Sequence, residues 1–237
     1  MPLLAPPPNL KDNRLLTALS EEEYRRISPH LESVCFKLGE TIYERGAEME
    51  YVYFPLTAVV SLLYVTENGK TAKIGLVGNE GVFDIALFMG SGPALHQSYA
   101  LSAGEALRMK AGALQNGFKR GGDFQRMLLR YVQALVIQIS QTAVCYRLHS
   151  VEQQLCCWLL LSYDRSKSNE LIMTHELIAN MLGTRREGVT VAAGRLQDAG
   201  LISYHRGHIK ILDRKGLKAT ACECYAFIKS EYDRLLC

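Results

Sequence analysis

The chain has 237 residues, enough for two domains with separate cores. Hydrophobic residues make up 48% and charged residues 22%, the balance of a folded soluble protein and not of a disordered one. Net charge is only +3, and no apolar run reaches the roughly 20 residues of a membrane-spanning helix.

The first ten residues, MPLLAPPPNL, lack the basic start and long apolar stretch of a signal peptide and read as an extended, proline-rich arm. A cytoplasmic location is therefore expected. Seven cysteines (35, 145, 156, 157, 222, 224 and 237) are odd in number and show no zinc or disulfide spacing, so reduced thiols and no metal are expected. Residues 9–31 read as helical, with a capping box at Ser20 and Glu23 and with Tyr24 and Ile27 facing inward. From Val34 the period changes to that of short strands, at 34–38, 41–43, 51–55, 59–64, 71–77, 96–101 and 105–109. Asn68-Gly69 is a strong hairpin signal between two of them. Seven short strands predict a jelly roll or related barrel, followed after Gly121-Gly122 by a long helix over 123–147. Its residues Phe124, Leu128, Tyr131, Leu135, Gln138, Thr142 and Cys145 recur at heptad-like spacing. Such a stripe either covers the roll or pairs with a second copy. Ser150 and Gln153 then cap another helix, and a polar loop at 164–169 follows.

The most informative stretch is 173–212. Thr174 caps a short helix bearing Leu177, Ile178, Met181 and Leu182, and Gly183 breaks it. Thr184 and Glu187 have the capping-box spacing at the start of a second helix, whose buried side is Val189, Ala192, Ala193 and Leu196. Two strands, 201–204 and 208–212, turn at His205-Arg206-Gly207. Two helices joined by a glycine turn and followed by a hairpin predict a winged helix-turn-helix, the second helix entering a DNA major groove. Eight Lys or Arg face three Asp or Glu between 183 and 218, leaving the rest of the chain at −2. Positive charge thus gathers where a polyanion would lie. Asp213 is placed to cap a final helix, 214–235, in which Cys222 and Cys224 carry no metal role.

The order Leu182-Gly183-Thr184-Arg185-Arg186-Glu187-Gly188-Val189, with Leu196-Gln197-Asp198-Ala199-Gly200-Leu201-Ile202 behind it, resembles the Crp/Fnr family of bacterial transcription regulators. The resemblance implies an α+β fold: a cyclic-nucleotide-binding-like β-roll (1–120), a long dimerisation helix (121–149) and a C-terminal winged helix-turn-helix (150–237). It also implies a homodimer bound to double-stranded DNA, with RNA polymerase as a further partner of an activator. The family's base-reading Arg-Glu pair falls on Arg186 and Glu187; arginine can grip guanine in a bidentate fork and glutamate can accept from cytosine. A third reading position, often arginine, falls on Val191. Thr174, Thr184, Arg185, Thr190, Arg195 and Arg206 are candidate phosphate contacts. Twofold DNA reading favours the seam role for Phe124, Leu128, Tyr131, Leu135, Gln138 and Thr142.

In nucleotide-binding members an acidic residue takes the ribose and an arginine takes the cyclic phosphate. Here Glu80 matches the first, whereas His96 or Gln97 stands at the second. Without a fixed guanidinium, cyclic AMP binding is expected to be weak or absent and no cofactor is assigned. One cysteine, Cys35, precedes the long helix, which argues against an iron–sulfur sensor, and a lone His96 is poor support for haem. A metal-dependent jelly-roll enzyme needs two or more converging histidines; the first 120 residues hold His30 and His96. A nucleotide-responsive module acting only through protein contacts leaves the basic head unexplained.

Overall fold

Short runs of strand-forming residues between 31 and 110, separated by turn residues, fold into two antiparallel sheets. The structure, a computed structural model, describes residues 12–67, 71–90, 92–166 and 170–236. The strands are β1 (Leu31–Phe36), β2 (Thr41–Tyr43), β3 (Tyr51–Pro55), β4 (Val59–Val65), β5 (Thr71–Val77), β6 (Gln97–Ser102) and β7 (Gly104–Lys110). One sheet runs β1-β7-β3 and the other β2-β6-β4-β5. The two meet through aromatic rings: Tyr43 lies 5.9 Å from Tyr53, which stacks on Phe83 at 5.1 Å. The predicted strands are all present, with β1 starting three residues earlier. The proline arm, the Asn68-Gly69 turn and residues 167–169 of the polar loop lie outside the described residues.

The helical reading of the N-terminus is corrected. Helix α1 (Arg14–Thr17) and helix α2 (Glu21–Ile27) are separate, and a 3₁₀ turn (Ser28–His30) leads into β1. Asn13 starts α1 and also donates from Nδ2 to the carbonyls of Pro55 and Gly81, both 2.9 Å away. Ser20 starts α2 by accepting from the Glu23 amide. Two caps so close in sequence preclude one continuous helix. The Glu23 carboxylate pairs with Arg26 and Arg120.

A short helix α3 (Ala86–Met89) interrupts the roll, and α4 (Ala111–Arg120) leaves it. Helix α5 (Gly122–Leu148) is the predicted long helix. The proposed seam is not on its free face. Phe124, Leu128, Tyr131, Leu135, Gln138 and Thr142 are all buried within the single chain, Tyr131 fully. Tyr131 fits against Gly81, where a Cβ would come within 2.0 Å of its ring. Gln138 donates to the Leu76 carbonyl at 3.0 Å, so it fixes α5 on the roll and does not fix register against a twin. The outward residues include Leu129, Gln133, Val136, Ser140, Ala143 and Arg147, again at alternating steps of about four and three. The predicted stripe thus covers the roll within the chain, and a second stripe of similar period faces outward.

Helix α6 (Val151–Arg165) begins with the predicted Ser150–Gln153 capping box. Then come β8 (Glu170–Ile172), α7 (His175–Leu182), α8 (Arg186–Asp198), β9 (Ile202–His205) and β10 (His208–Ile211). The third sheet, β8-β10-β9, adds to the predicted hairpin a strand that sequence reasoning missed. At three residues β8 is too short to show alternation. The predicted last helix is two: α9 (Arg214–Thr220), capped by Asp213, and α10 (Glu223–Leu236), which packs along α5. No helix among the described residues is long and apolar enough to cross a membrane.

Candidate nucleic-acid interface and the β-roll

Thr174 accepts from the Leu177 amide at 3.2 Å and so fixes where α7 starts. Gly183 ends it at φ 63°, ψ 31°, a left-handed conformation that costs glycine nothing. Leu182, Val189, Ala192 and Leu196 are buried and hold α8 in place. The predicted capping box does not form: Arg185 occupies the cap position of α8 and no side chain caps it. Glu187 is therefore available on the surface. Arg185, Arg186, Glu187, Thr190, Val191 and Arg195 are all exposed. Among the described residues no ion pair engages Arg185, Arg186, Glu187 or Arg206. The uncapped amides at the start of α8 carry the positive end of the helix dipole, beside two arginines.

Arg206 sits at the tip of the wing, exposed and at φ 49°, with Gly207 completing the turn at 87°. Thr190 and Arg195 are less free than the sequence suggests. Thr190 Oγ1 bonds the Arg186 carbonyl and His175 Nδ1, each at 3.0 Å. Arg195 stands 3.6 Å from Glu152 of α6. Thr184 is half-buried. His175 stacks on Tyr204 at 4.4 Å, and Tyr204 donates to the Met173 carbonyl at 2.9 Å. Burial, and then the Arg186 guanidinium, hold His175 below the usual imidazole range. This pair ties α7 to the wing beneath Arg186, a support that no linear pattern announces.

The suggested ligand residues of the roll do not form an open site. Glu80 is buried; its Oε1 accepts from Arg165 Nε at 2.6 Å and its Oε2 from the Gly78 amide at 3.1 Å. Arg165 lies on α6, so the carboxylate expected to meet a ribose instead binds the helix leading to the head. Arg165 also donates to Gln138 of α5 at 2.8 Å. His96 is held below the usual imidazole range by burial, which leaves it neutral near pH 7. Gln97 donates to Glu44 at 3.0 Å, just past β2, and to Thr41 of β2 at 3.3 Å.

Comparison with known proteins agrees with both halves. A model described as a cyclic nucleotide-binding domain matches residues 33–120, and one described as a Crp-like helix-turn-helix domain matches 153–220. The global nitrogen regulator of Nostoc sp. is 23% identical over 185 residues, 74% of this chain and 83% of its own. That of Synechococcus elongatus is 22% identical over 212 residues, 85% of this chain and 94% of its own. Among solved structures, a Crp/Fnr-family regulator of Eubacterium rectale superposes with TM-score 0.68 at 20% identity, covering 87% of this chain and 96% of that one. FixK2 of Bradyrhizobium japonicum superposes at 0.66 with 17% identity, covering 81% and 98%. At these identities the superpositions speak for the fold. The two relatives in sequence are named as global nitrogen regulators, and the Eubacterium rectale protein as a transcriptional regulator. With a nucleotide-binding-type roll and a Crp-like head matched in that order along one chain, the protein belongs to the Crp/Fnr family of transcription regulators.

Proposed function

We propose that the protein is a cytoplasmic, homodimeric regulator that reads a palindromic DNA site through α8, with a roll that does not take cyclic AMP in the usual way. The observation that carries the reading is the uncapped, exposed first turn of α8, where the side chains of Arg186 and Glu187 make no hydrogen bond or ion pair among the described residues. Arg186 reads guanine and Glu187 accepts from cytosine, each discriminating by about 1–3 kcal/mol. Arg185 and Arg206 meet phosphate on either side, which positions the head without specifying sequence. Two heads reach half-sites about one turn, 34–36 Å, apart. The second copy lies along the outward stripe of α5, where Val136 is 53% exposed and Leu129 46%. As an activator the dimer would also contact RNA polymerase.

The cyclic AMP part rests on the occupied Glu80 and the absence of a guanidinium at His96 and Gln97. Calorimetric titration is expected to show no micromolar binding; a micromolar dissociation constant would overturn this part. For the DNA part, bound oligonucleotides are selected from a random pool with wild type and Arg186→Ala. The variant is expected to lose preference at one position of each half-site and to keep most of its low-salt nonspecific affinity. An unchanged motif would remove Arg186 from base reading.

A further inference from the structure

We propose that Cys145, His149, Cys222 and Cys224 form a thiolate-rich site for a zinc ion, at the junction of the long helix with the C-terminal helices. The four ligand atoms lie within 4.8 Å of one another. Cys145 comes from the last turn of α5, His149 caps that helix, and Cys222 and Cys224 flank the start of α10. The three sulfurs are buried, shielded from competing solvent.

The spacing is close to that of a closed tetrahedral site. With Zn–S of about 2.3 Å and Zn–N of about 2.0 Å, tetrahedral edges are about 3.8 Å between sulfurs and about 3.5 Å from sulfur to nitrogen. Cys145 Sγ and Cys222 Sγ are 3.5 Å apart, and Cys224 Sγ and His149 Nδ1 are also 3.5 Å apart. Three thiolates and an imidazole favour a soft or borderline ion such as zinc over hard cations.

The outer groups point the same way. His149 presents Nδ1 to the thiols while its Nε2 lies 3.3 Å from the Glu223 carboxylate. That carboxylate–histidine arrangement fixes the tautomer of metal-bound histidines. Gln141 Nε2 donates to Cys224 Sγ at 3.2 Å, a contact that favours the thiolate. Zinc with three thiolates carries one net negative charge. Lys73, buried and without an ion pair among the described residues, lines the same small cavity as Cys145 and Cys224 and supplies the opposite charge. Filling the site releases the thiol protons to solvent and ties α5 to α10.

The test uses the full-length protein, purified reduced and stripped of metal, titrated with cobalt(II) and then zinc. We expect one cobalt per chain, with the visible bands and thiolate charge-transfer absorption of a tetrahedral site, displaced by zinc. Cys222→Ser is expected to abolish that absorption, and exposed Cys35→Ser to leave it unchanged. Glu223→Gln alters a side chain that is 75% exposed and keeps its size, so it tests the site even if Cys222→Ser fails to fold. It is expected to weaken zinc about 10- to 100-fold in chelator competition. Wild type without thiolate-to-cobalt absorption, an unchanged spectrum in Cys222→Ser, or unchanged zinc affinity in Glu223→Gln would overturn the proposal. So would formation of a Cys145–Cys222 disulfide in a protein that takes no metal when reduced. None of these readouts involves DNA, so failure here and failure of the DNA reading are separable.

Discussion

Asp84 shows how a single buried group can set a pH response. It is a non-glycine residue at φ 67°, buried, with one carboxyl oxygen accepting from Ser98 Oγ at 3.1 Å and the other unpaired. Burial pushes its carboxyl up to about 7 from an ordinary value of 3.8. The folded state therefore holds this proton more tightly than the unfolded state. The stability it contributes is complete below about pH 4 and is lost as pH rises to about 7. Asp84→Asn keeps the shape, tolerates the left-handed backbone and removes the titration. Thermal melts from pH 4 to 8 are expected to show a smaller fall in Tm with rising pH for the variant, with the largest gain over wild type at pH 8. Parallel profiles would mean that Asp84 is not the group responsible. Arg186 and Glu187 are the opposite kind of residue: their identity and place were legible in the linear motif, because a helix start after a glycine turn is a local signal. That Glu187 stays free of Thr184 was not legible, because the capping-box spacing permits a bond the backbone does not make.

At the scale of elements, the roll and α6 are joined by the Glu80–Arg165 pair, both side chains less than a tenth exposed. A buried pair is weak evidence for net stability, but breaking one side of it is costly. Arg165→Met is expected to destabilise the protein by about 3–5 kcal/mol, because Glu80 is left charged and unpaired. The companion change Glu80→Gln in the same chain is expected to recover most of that loss, as measured by urea unfolding. No recovery would show that Arg165 acts through its contact with Gln138. Helix α5 teaches a related lesson about patterns. Its apolar residues cover more than one stripe, and both stripes have nearly heptad spacing. Periodicity identified the helix; only packing against β5 and α10 decides which stripe the chain keeps for itself.

For the whole molecule, that assignment yields a clear contrast. Val136→Glu places a charge on the exposed stripe and is expected to dissociate the dimer, measured by sedimentation, with circular dichroism unchanged. Leu128→Ala on the buried stripe is expected to cost about 2–5 kcal/mol of stability while leaving association intact. The reverse outcome would return the seam to the inward face. The molecule also joins its two ends: α10 lies along α5, and Arg14 near the start pairs with Asp233 near the end at 3.0 Å.

The sequence alone determined the strands of the roll, the long helix and the two helices and hairpin of the head, since capping, glycine turns and strand propensity act between residues a few places apart; it did not determine the breaks in the first and last helices, nor α3, α4 and β8. Tertiary structure decided what depends on distant partners. It turned one stripe of α5 inward, occupied Glu80 with Arg165, and brought Cys145 and His149 to Cys222 and Cys224 across more than seventy residues. The physical reason is that local hydrogen bonding is written along the chain, whereas burial and charge pairing are settled only once the core has closed.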